Sequence, residues 1–417
     1  MKQYDLIVVG GGLTGVAAAV SAAREGLQVL LVEKSGALGG AMTNNLIYPF
    51  MKYWTIDPET GERVDLSAGI FSELRALQKK YCGTDGNAHF NPEYYKFLLD
   101  EMVTGAGVEV LFHGMVFGVE KEADSLTAIR VATIQGELRL RARFFCDATG
   151  NGDVFYLAGC DYQLGRDGDG LCQPMTTCFR MSNVDIEQYQ ADRPMLQEAY
   201  KQAKAEGKLE NPREDILAFV GVGEGILHFN TTRVVRHDPT DPIAVSKAEM
   251  LARRQILEME TFLKAHSKAF ANSTVVSVCQ DIGVRESRKL RGVYVLTQED
   301  LKGLCRFEDS VALGNYDIDI HNPAGSGTSH YFFGKGEYYT IPYRSLLPKE
   351  YTNLLVAGRC ISATHEAQAS IRIMPICACL GQAAGVAAAV AFHTGTNAHE
   401  VDVSAVQDKL RALGARL

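Results

Sequence analysis

Residues 8–20, VVGGGLTGVAAAV, place three consecutive glycines between an apolar run and an alanine-rich segment. The run at residues 4–9 is short, continuous and β-branched near its end, which is typical of a buried parallel strand. Glycine weakens the interior of a helix or a strand, so this cluster indicates a turn with a bare backbone. Residues 14–25 then follow with helical spacing, and Gly26 is a suitable C-cap. The stretch therefore predicts a strand, a tight turn and a helix in succession.

A second apolar strand is predicted over residues 28–33, and it ends on an acid, Glu33. This acid lies 18 residues beyond Gly15, close to the spacing of about 20 in dinucleotide-binding units. Gly10 would allow the tight turn, Gly12 would let the backbone approach a pyrophosphate, and Gly15 would let the helix lie close to the strand. The helix N-terminus offers free N–H groups to phosphates. A bound dinucleotide is therefore predicted, with its ribose on Glu33.

Composition limits the classes of partner. The chain has 417 residues, which favours two closely joined domains, and a net charge of −8. We expect no nucleic-acid partner and no membrane partner, because the chain has no basic excess to attract either surface. The apolar tract at residues 373–392 contains Pro375 and Gln382 and is rich in Ala and Gly, so we expect it inside the protein. Ten scattered cysteines without a CxxC pair and no signal segment predict reduced thiols in a cytoplasmic protein.

The residues after Glu33 indicate which dinucleotide is bound. KSGALGGAMTNN (residues 34–45) carries a glycine pair, Gly39 and Gly40, directly after the acid. This resembles the FAD fold of the glutathione-reductase superfamily, in which the loop passes under the pyrophosphate and flavin. CDATGNGD (residues 146–153), NLLVAGRCIS (residues 353–362) and the helix at residues 371–391 resemble three further segments of that fold. The N-terminus of this closing helix would stabilise negative charge on reduced flavin.

Three middle segments resemble a narrower family. Residues 165–185, 281–301 and 316–323 (YDIDIHNP) are similar to the bacterial FAD-dependent oxidoreductases close to the succinate dehydrogenase and fumarate reductase flavoproteins. The resemblance implies FAD, bound non-covalently because the residues after Gly40 lack the histidine that tethers flavin in the succinate dehydrogenase group. No metal centre is expected. The residues expected to contact FAD are Gly10, Gly12, Leu13, Thr14, Gly15, Glu33, Lys34, Gly39, Gly40, Ala41, Met42, Val116, Ala148, Thr149, Gly150, Gly358, Arg359, Arg372, Ile373 and Met374.

These anchors predict the domain organisation. A Rossmann-like α/β FAD-binding domain, a parallel sheet with a β-meander, would comprise residues 1–48, 100–165 and 331–417. Residues 49–99 would form an excursion that covers one side of the flavin and holds the only tryptophan, Trp54. Residues 166–330 would form an inserted α+β substrate domain with two amphipathic helices.

The candidate catalytic residues are two histidines and two arginines. His321 and His330 lie in a Gly/Ser-rich segment at the predicted domain junction, where loops often cover active sites, and histidine titrates near neutrality. Either one can instead be a surface or backbone-bonded histidine. Arg285 and Arg288 lie in VRESRKLR, which is either a solvated helix face or an anchor for the substrate or the flavin edge.

Several function classes remain open at this point. The leading prediction is transfer of a hydride between a small polar substrate and flavin N5, by oxidation of a C–OH or C–N bond. Reduction of an activated C=C bond is the alternative, and arginines that hold a carboxylate would favour it. A flavin-dependent RNA-modifying protein is disfavoured by the acidic balance. The partner that donates or accepts electrons and the oligomeric state cannot be deduced from these residues.

Overall fold

The structure, a computed structural model, describes residues 3–82 and 89–417. In chain order its strands are β1 (Gln3–Val9), β2 (Val29–Val32), β3 (Trp54–Ile56), β4 (Arg63–Asp65), β5 (Glu109–Leu111), β6 (Met115–Glu122), β7 (Ser125–Thr133), β8 (Gly136–Asp147), β9 (Tyr162–Leu164), β10 (Phe179–Ser182), β11 (Ala218–Phe219), β12 (Leu227–Phe229), β13 (Thr274–Val278), β14 (Arg288–Leu290), β15 (Ser310–Gly314), β16 (Ile318–His321), β17 (Thr328–Tyr331), β18 (Tyr339–Pro342) and β19 (Leu354–Val356). Its α-helices are α1 (Leu13–Arg24), α2 (Ile70–Cys82), α3 (Pro92–Gly105), α4 (Asp153–Ala158), α5 (Ile186–Ala205), α6 (Pro242–His266), α7 (Gln298–Lys302), α8 (His365–Ile371), α9 (Met374–Thr394) and α10 (Val403–Ala412).

The largest sheet confirms the predicted α/β class. Strands β5, β2, β1, β8 and β19 run parallel in that spatial order, and β6 and β7 extend the sheet as an antiparallel meander. The long β8 serves both parts, because its first residues pair with β7 and its last residues pair with β1 and β19. The turns at the C-terminal ends of β1, β8 and β19 therefore meet at one edge of the sheet, where ligands of open α/β sheets bind.

Helices α1 and α9 pack together through glycine. A Cβ added at Gly381 would lie 2.1 Å from the Thr14 carbonyl oxygen, and one at Gly385 would lie 2.2 Å from that of Ala18. The two helix backbones are therefore in direct contact. By length and composition α9 is apolar enough to cross a membrane, but 94% of its apolar window is buried within the protein. This places the helix in the interior, as its composition predicts.

A second, four-stranded antiparallel sheet has the order β11-β12-β10-β13. One face packs on α5 and α6 in a core of its own, built around residues such as Phe179, Phe229 and Phe262. The residues from Leu296 onward, including Val311, rejoin the core that contains α1 and α9. The two amphipathic helices predicted in the inserted region are thus α5 and α6.

Two local predictions need correction. The segment VRESRKLR is not helical, since Arg288–Leu290 forms β14 and pairs with β9. The Gly/Ser-rich segment that begins at His321 is an antiparallel hairpin, in which β16 pairs with β17 and residues 322–327 form the turn. The helical spacing of the basic residues in the first segment was coincidental. In the second, the glycines occupy the turn, while the alternating residues before and after it form the strands.

Candidate active site

A cleft of about 180 Å³ opens at the edge of the sheet where β1, β8 and β19 end. Most of the residues expected to contact FAD line it, namely Gly10, Gly12, Leu13, Thr14, Glu33, Lys34, Gly39, Gly40, Ala41, Ala148, Thr149, Gly150, Gly358, Arg359, Arg372 and Met374. Segments that are far apart in sequence thus converge on one site.

Three glycines show how the cleft is shaped. A Cβ at Gly10, where φ is 101°, would lie 2.5 Å from the Ala148 carbonyl oxygen. A Cβ at Gly15 would lie 1.8 Å from the Gly10 carbonyl oxygen, so helix α1 can approach β1 only without a side chain there. A Cβ at Gly12 would meet no atom within 4 Å. The turn is therefore tight behind Gly10 and Gly15, and it leaves open space at Gly12.

Glu33 joins the glycine turn to the next loop. One of its carboxylate oxygens accepts a hydrogen bond from the Gly11 N–H at 2.6 Å, and the other accepts one from the Ser35 N–H at 2.8 Å. A carboxylate has about four acceptor positions. Glu33 therefore stays buried at the end of β2 with lone pairs left for a ribose diol.

Two arginines bring unpaired donors to the other end of the cleft. Arg359 donates through Nη2 to Asn151 at 2.6 Å, and Arg372 donates through Nη2 to Asp319 at 3.2 Å. The Nε atoms of both are buried without a hydrogen-bond partner. Buried donors of this kind are rare unless a ligand or a water molecule accepts a hydrogen bond from them. Together with the N-terminus of α9 at Met374, they make this end of the cleft suitable for an electron-rich group.

A second cavity, of about 440 Å³, adjoins the cleft. The two share the wall residues Ala41, Asn45, Val284, Arg359, Arg372 and Met374. The rest of the second cavity includes residues 47–51, the segment at residues 213–219, the segment at residues 283–285 and the β16–β17 hairpin. A molecule in this cavity would contact one in the cleft directly.

Arg285 lies in the wall of the second cavity. It donates through Nη1 to the Pro174 carbonyl oxygen at 2.7 Å and through Nη2 to Asn230 at 3.3 Å. Burial, and then the positive charges of Arg372, Arg213 and Arg233, lower its pKa to about 9.

The neighbouring arginines differ from Arg285 in having carboxylate partners. Arg213 pairs with Asp215, and Arg372 pairs with Asp319. Within residues 3–82 and 89–417, no carboxylate forms an ion pair with Arg285. Among these residues, Arg285 therefore has no counter-charge of its own in this wall.

His321 is buried in a network and is not a free base. Its Nδ1 accepts a hydrogen bond from Arg233 at 2.9 Å, and its Nε2 lies 3.3 Å from the Asp319 carboxylate. Burial, and then the charge of Arg285, lower the pKa of His321 to about 3, so the ring is neutral and donates from Nε2 to Asp319. Burial raises the pKa of Asp319, but the bonds from His321 and Arg372 outweigh it and keep the carboxyl ionised. His321 thus positions Asp319.

His330 is the more accessible histidine of the cavity. It lies on β17 opposite Asp319, with a side chain that is 37% exposed. Its Nδ1 is 2.5 Å from the Asp317 carboxylate, and Nε2 has no hydrogen-bond partner among the described residues. If Nδ1 carries the proton that Asp317 accepts, the Nε2 lone pair is free to take a proton from a bound molecule.

The ligand atoms of Asp317, Asp319 and His330 lie within 4.8 Å of one another, a separation that can suit a metal ion. Arg372 already donates to Asp319, and the Lys52 ammonium group acts on Asp317. Because these cations compensate the two acids, we assign no metal to the group.

Some predicted residues lie outside both cavities. Gly15 packs against Gly10, Met42 is fully buried, and Val116 pairs with Val131 in the meander. Ile373 lines the second cavity instead of the cleft.

Arg288, a candidate catalytic residue, has a role other than the one predicted. The Arg288 guanidinium lies 3.9 Å from the ring centroid of Tyr156 and 3.3 Å from the Asp153 carboxylate, away from both cavities. Trp54 packs against Arg63, and from the excursion Pro49 and Met51 line the second cavity.

Sequence reasoning did not single out the acids of the site. Asp317, Asp319 and His321 alternate in YDIDIHNP, and an alternation of two places side chains on one face of a strand, so this signal was present. Arg213, by contrast, lies in NPREDI, which has no periodicity that would mark it. Only the fold brings it to the cavity.

Comparison with known proteins identifies the family of the chain. The family model described as "FAD dependent oxidoreductase" matches residues 5–410. The chain belongs to this family. The family's description names an FAD-dependent oxidoreductase activity, with FAD as the cofactor. The open space at Gly12 and the unpaired Nε donors of Arg359 and Arg372 fit such a group. When FAD binds, the residues that line the cleft are the ones that would hold it.

Individual relatives of this FAD dependent oxidoreductase match over limited lengths. It is 24% identical over 196 residues to digeranylgeranylglycerophospholipid reductase 1 of Methanococcoides burtonii, covering 45% of this chain and 46% of the relative. It is 44% identical over 55 residues to glutathione reductase of Schizosaccharomyces pombe, covering 13% of this chain and 12% of the relative. The chain thus spans less than half the length of these curated relatives.

Among solved structures, a geranylgeranyl bacteriochlorophyll reductase-like protein from Thermoplasma acidophilum is similar, with a TM-score of 0.46 and 13% identity, over 99% of this chain and 83% of the other. A myxobacterial chondrochloren halogenase has a TM-score of 0.44 and 16% identity, over 99% and 79% of the two chains.

Proposed function

We propose that this enzyme oxidises a C–OH or C–N bond in a small substrate that carries a carboxylate, with hydride transfer to flavin N5. The observation that carries the proposal is the second cavity. It adjoins the cofactor cleft, and its wall holds Arg285, which has no carboxylate partner among the described residues, and His330, which keeps a free ring nitrogen. These are the two groups that a hydroxy acid or an amino acid requires.

Arg285 is the proposed anchor of the substrate. Its neighbours Arg372, Arg213 and Arg233 all raise the local positive potential. A carboxylate beside Arg285 would relieve that repulsion and accept charge-assisted hydrogen bonds, which are stronger than neutral ones. The cavity therefore favours an anionic substrate over a neutral alcohol or amine.

His330 is the proposed proton acceptor. The Asp317 carboxylate at 2.5 Å orients the ring and stabilises it once it is protonated. Loss of hydride from a carbon that bears a hydroxyl or amino group requires removal of a proton from that O–H or N–H. FAD, when bound, supplies the hydride acceptor, while Arg285 and His330 hold the substrate between them.

Reduction of an activated C=C bond in an unsaturated acid is the second candidate. The same arginines favour it, since they would hold the carboxylate of that substrate equally well. The lowered pKa of Arg285, about 9, also eases proton donation from the cavity wall. The two candidates differ in the direction of hydride transfer.

The test follows the visible absorbance of the purified, FAD-loaded enzyme under anaerobic conditions. We expect a hydroxy acid or an amino acid to bleach the flavin band, and the matched alcohol or amine without the carboxylate to leave it unchanged. Arg285→Gln should raise the KM for the acid about 10- to 100-fold, the effect of losing a charged hydrogen-bond partner. Arg254→Gln, which changes an exposed arginine of α6 in the same way, is the matched control.

Two results would contradict the proposal. If the decarboxylated compounds bleach the flavin as fast as the acids, Arg285 does not anchor a carboxylate. If only dithionite bleaches the flavin and an unsaturated acid restores the colour, the enzyme is a reductase and the second candidate is correct.

A further inference from the structure

A row of polar side chains crosses the four-stranded sheet on the face away from α5 and α6. Arg180 on β10 lies directly opposite His228 on β12, and His228 lies opposite Phe219 on β11. Residues directly opposite in an antiparallel pair share a face, and their Cα atoms are about 4.5–5.5 Å apart. Tyr48 covers the row, with ring centroids 5.2 Å from His228 and 6.1 Å from Phe219.

The polar groups of this row are buried without partners. Among the described residues, both ring nitrogens of His228 lack a hydrogen-bond partner, and His228 is completely inaccessible to solvent. Arg180 is 7% exposed, and its Nε and Nη2 atoms also lack partners. Nearly all buried polar groups in proteins are hydrogen-bonded to protein, water or an ion. Four unsatisfied nitrogens on two facing residues therefore indicate an occupant.

The charge of this occupant follows from the surroundings. Burial lowers the pKa of Arg180 and Glu93 opposes that shift, but among the described residues no carboxylate forms an ion pair with the guanidinium. The Tyr48 hydroxyl is engaged with His89 Nδ1 at 2.5 Å, and burial raises its pKa to about 12, so it is neutral. The row thus holds a buried positive charge without a counter-charge, and burying such a charge unpaired is costly.

We propose that Arg180 and His228 form a binding site for a small monovalent anion such as chloride. The anion accepts hydrogen bonds from Arg180 Nε–H and Nη2–H and from the one N–H of the neutral His228 ring. Water molecules would accept hydrogen bonds from these donors but would leave the positive charge of Arg180 without a counter-charge. Tyr48 packs on His228 and also lines the second cavity, so the anion stabilises that part of the cavity wall. It is independent of the proposed substrate.

The first test is thermal unfolding of the FAD-loaded enzyme in sodium chloride and in sodium gluconate at equal ionic strength. We expect the melting temperature to rise with chloride and saturate, and to remain lower in gluconate, which is too large for an enclosed site. The saturable rise should be absent in Arg180→Gln and in His228→Phe, which keeps the aromatic contact with Tyr48. Arg254→Gln should retain it.

The second test does not depend on whether the variants fold. Crystals of the wild-type enzyme grown in sodium bromide should show an anomalous peak between Arg180 and His228. Equal melting temperatures in chloride and gluconate at every concentration, or a bromide map without that peak, would overturn the proposal and leave water as the occupant.

Discussion

Replacement of Gly12 by alanine tests the cofactor cleft most directly. Gly12 precedes α1 with φ −63° and ψ 175°, a conformation that alanine adopts freely. A Cβ at this position would meet no protein atom within 4 Å. The methyl group would therefore enter the space assigned to the pyrophosphate and disturb nothing in the unliganded protein.

Gly12→Ala should affect the stability of the apoprotein and the FAD affinity of the holoenzyme through different physical effects. In the apoprotein, the reduced entropy of the unfolded chain adds about 0.4–1 kcal/mol of stability. Alanine is a poorer N-cap than glycine by a similar amount, so the free energy of unfolding should change by less than about 1 kcal/mol. In the holoenzyme, the methyl group overpacks the ligand, which costs about 1–3 kcal/mol and weakens FAD binding roughly 5- to 150-fold.

Urea denaturation of the apoprotein measures the first quantity, and quenching of FAD fluorescence on titration measures the second. The matched control is Gly105→Ala at the end of α3, where a Cβ also meets no atom within 4 Å but no ligand is expected. If FAD affinity in Gly12→Ala equals that of the control, the pyrophosphate does not lie on this turn. A large loss of apoprotein stability would show instead that the space at Gly12 is occupied by protein.

Three further predictions concern packing, pH and the proton acceptor. Gly381→Ala should destabilise the protein by about 1–3 kcal/mol, because its Cβ would lie 2.1 Å from the Thr14 carbonyl oxygen. Urea denaturation measures this change in the free energy of unfolding. The control variant Gly105→Ala should show no such loss of stability. Burial lowers the pKa of His228 to about 3, so only the unfolded chain takes up this proton as the pH falls below about 6.5, and stability decreases. The wild-type free energy of unfolding should therefore fall by about 2 kcal/mol more than that of His228→Phe between pH 7 and pH 5. If the pH dependence of unfolding is the same in both proteins, the pKa of His228 is not lowered in the folded state. His330→Ala should lower kcat about 10²- to 10⁴-fold with little change in KM, measured by stopped-flow bleaching of the flavin, and a wild-type kcat would exclude it as the proton acceptor.

The cofactor cleft was largely predictable because its signals are local. Gly10, Gly15 and Glu33 are required by backbone geometry within one strand–turn–helix–strand unit, and such requirements are visible in consecutive residues. The predicted closing helix, α9, depends on Gly381 and Gly385, which stand out in the sequence as the only glycines among its alanines. Val116 was placed at the cofactor by resemblance alone, and the structure places it in the meander.

The second cavity was predictable only in part. Arg285 and His330 were candidates by residue type, but so was Arg288, which stacks on Tyr156 outside the cavities. The type of a residue shows which chemistry its side chain can perform, but it does not show which groups lie beside that side chain in the fold. The role of His321 depends on Arg233 and Asp319, and the contact with Arg233 spans 88 residues of sequence.

By itself the sequence determined the dinucleotide turn, the order of strands and helices around it, and the family to which the chain belongs. These follow from local backbone constraints and from hydrophobic periodicity, both of which act over a few residues. The tertiary structure alone decided which arginines of the cavity wall lack a carboxylate, which histidine keeps a free nitrogen, and where Arg180 and His228 are left without partners. Those properties are sums of electrostatic and hydrogen-bond interactions among segments that meet only when the chain folds.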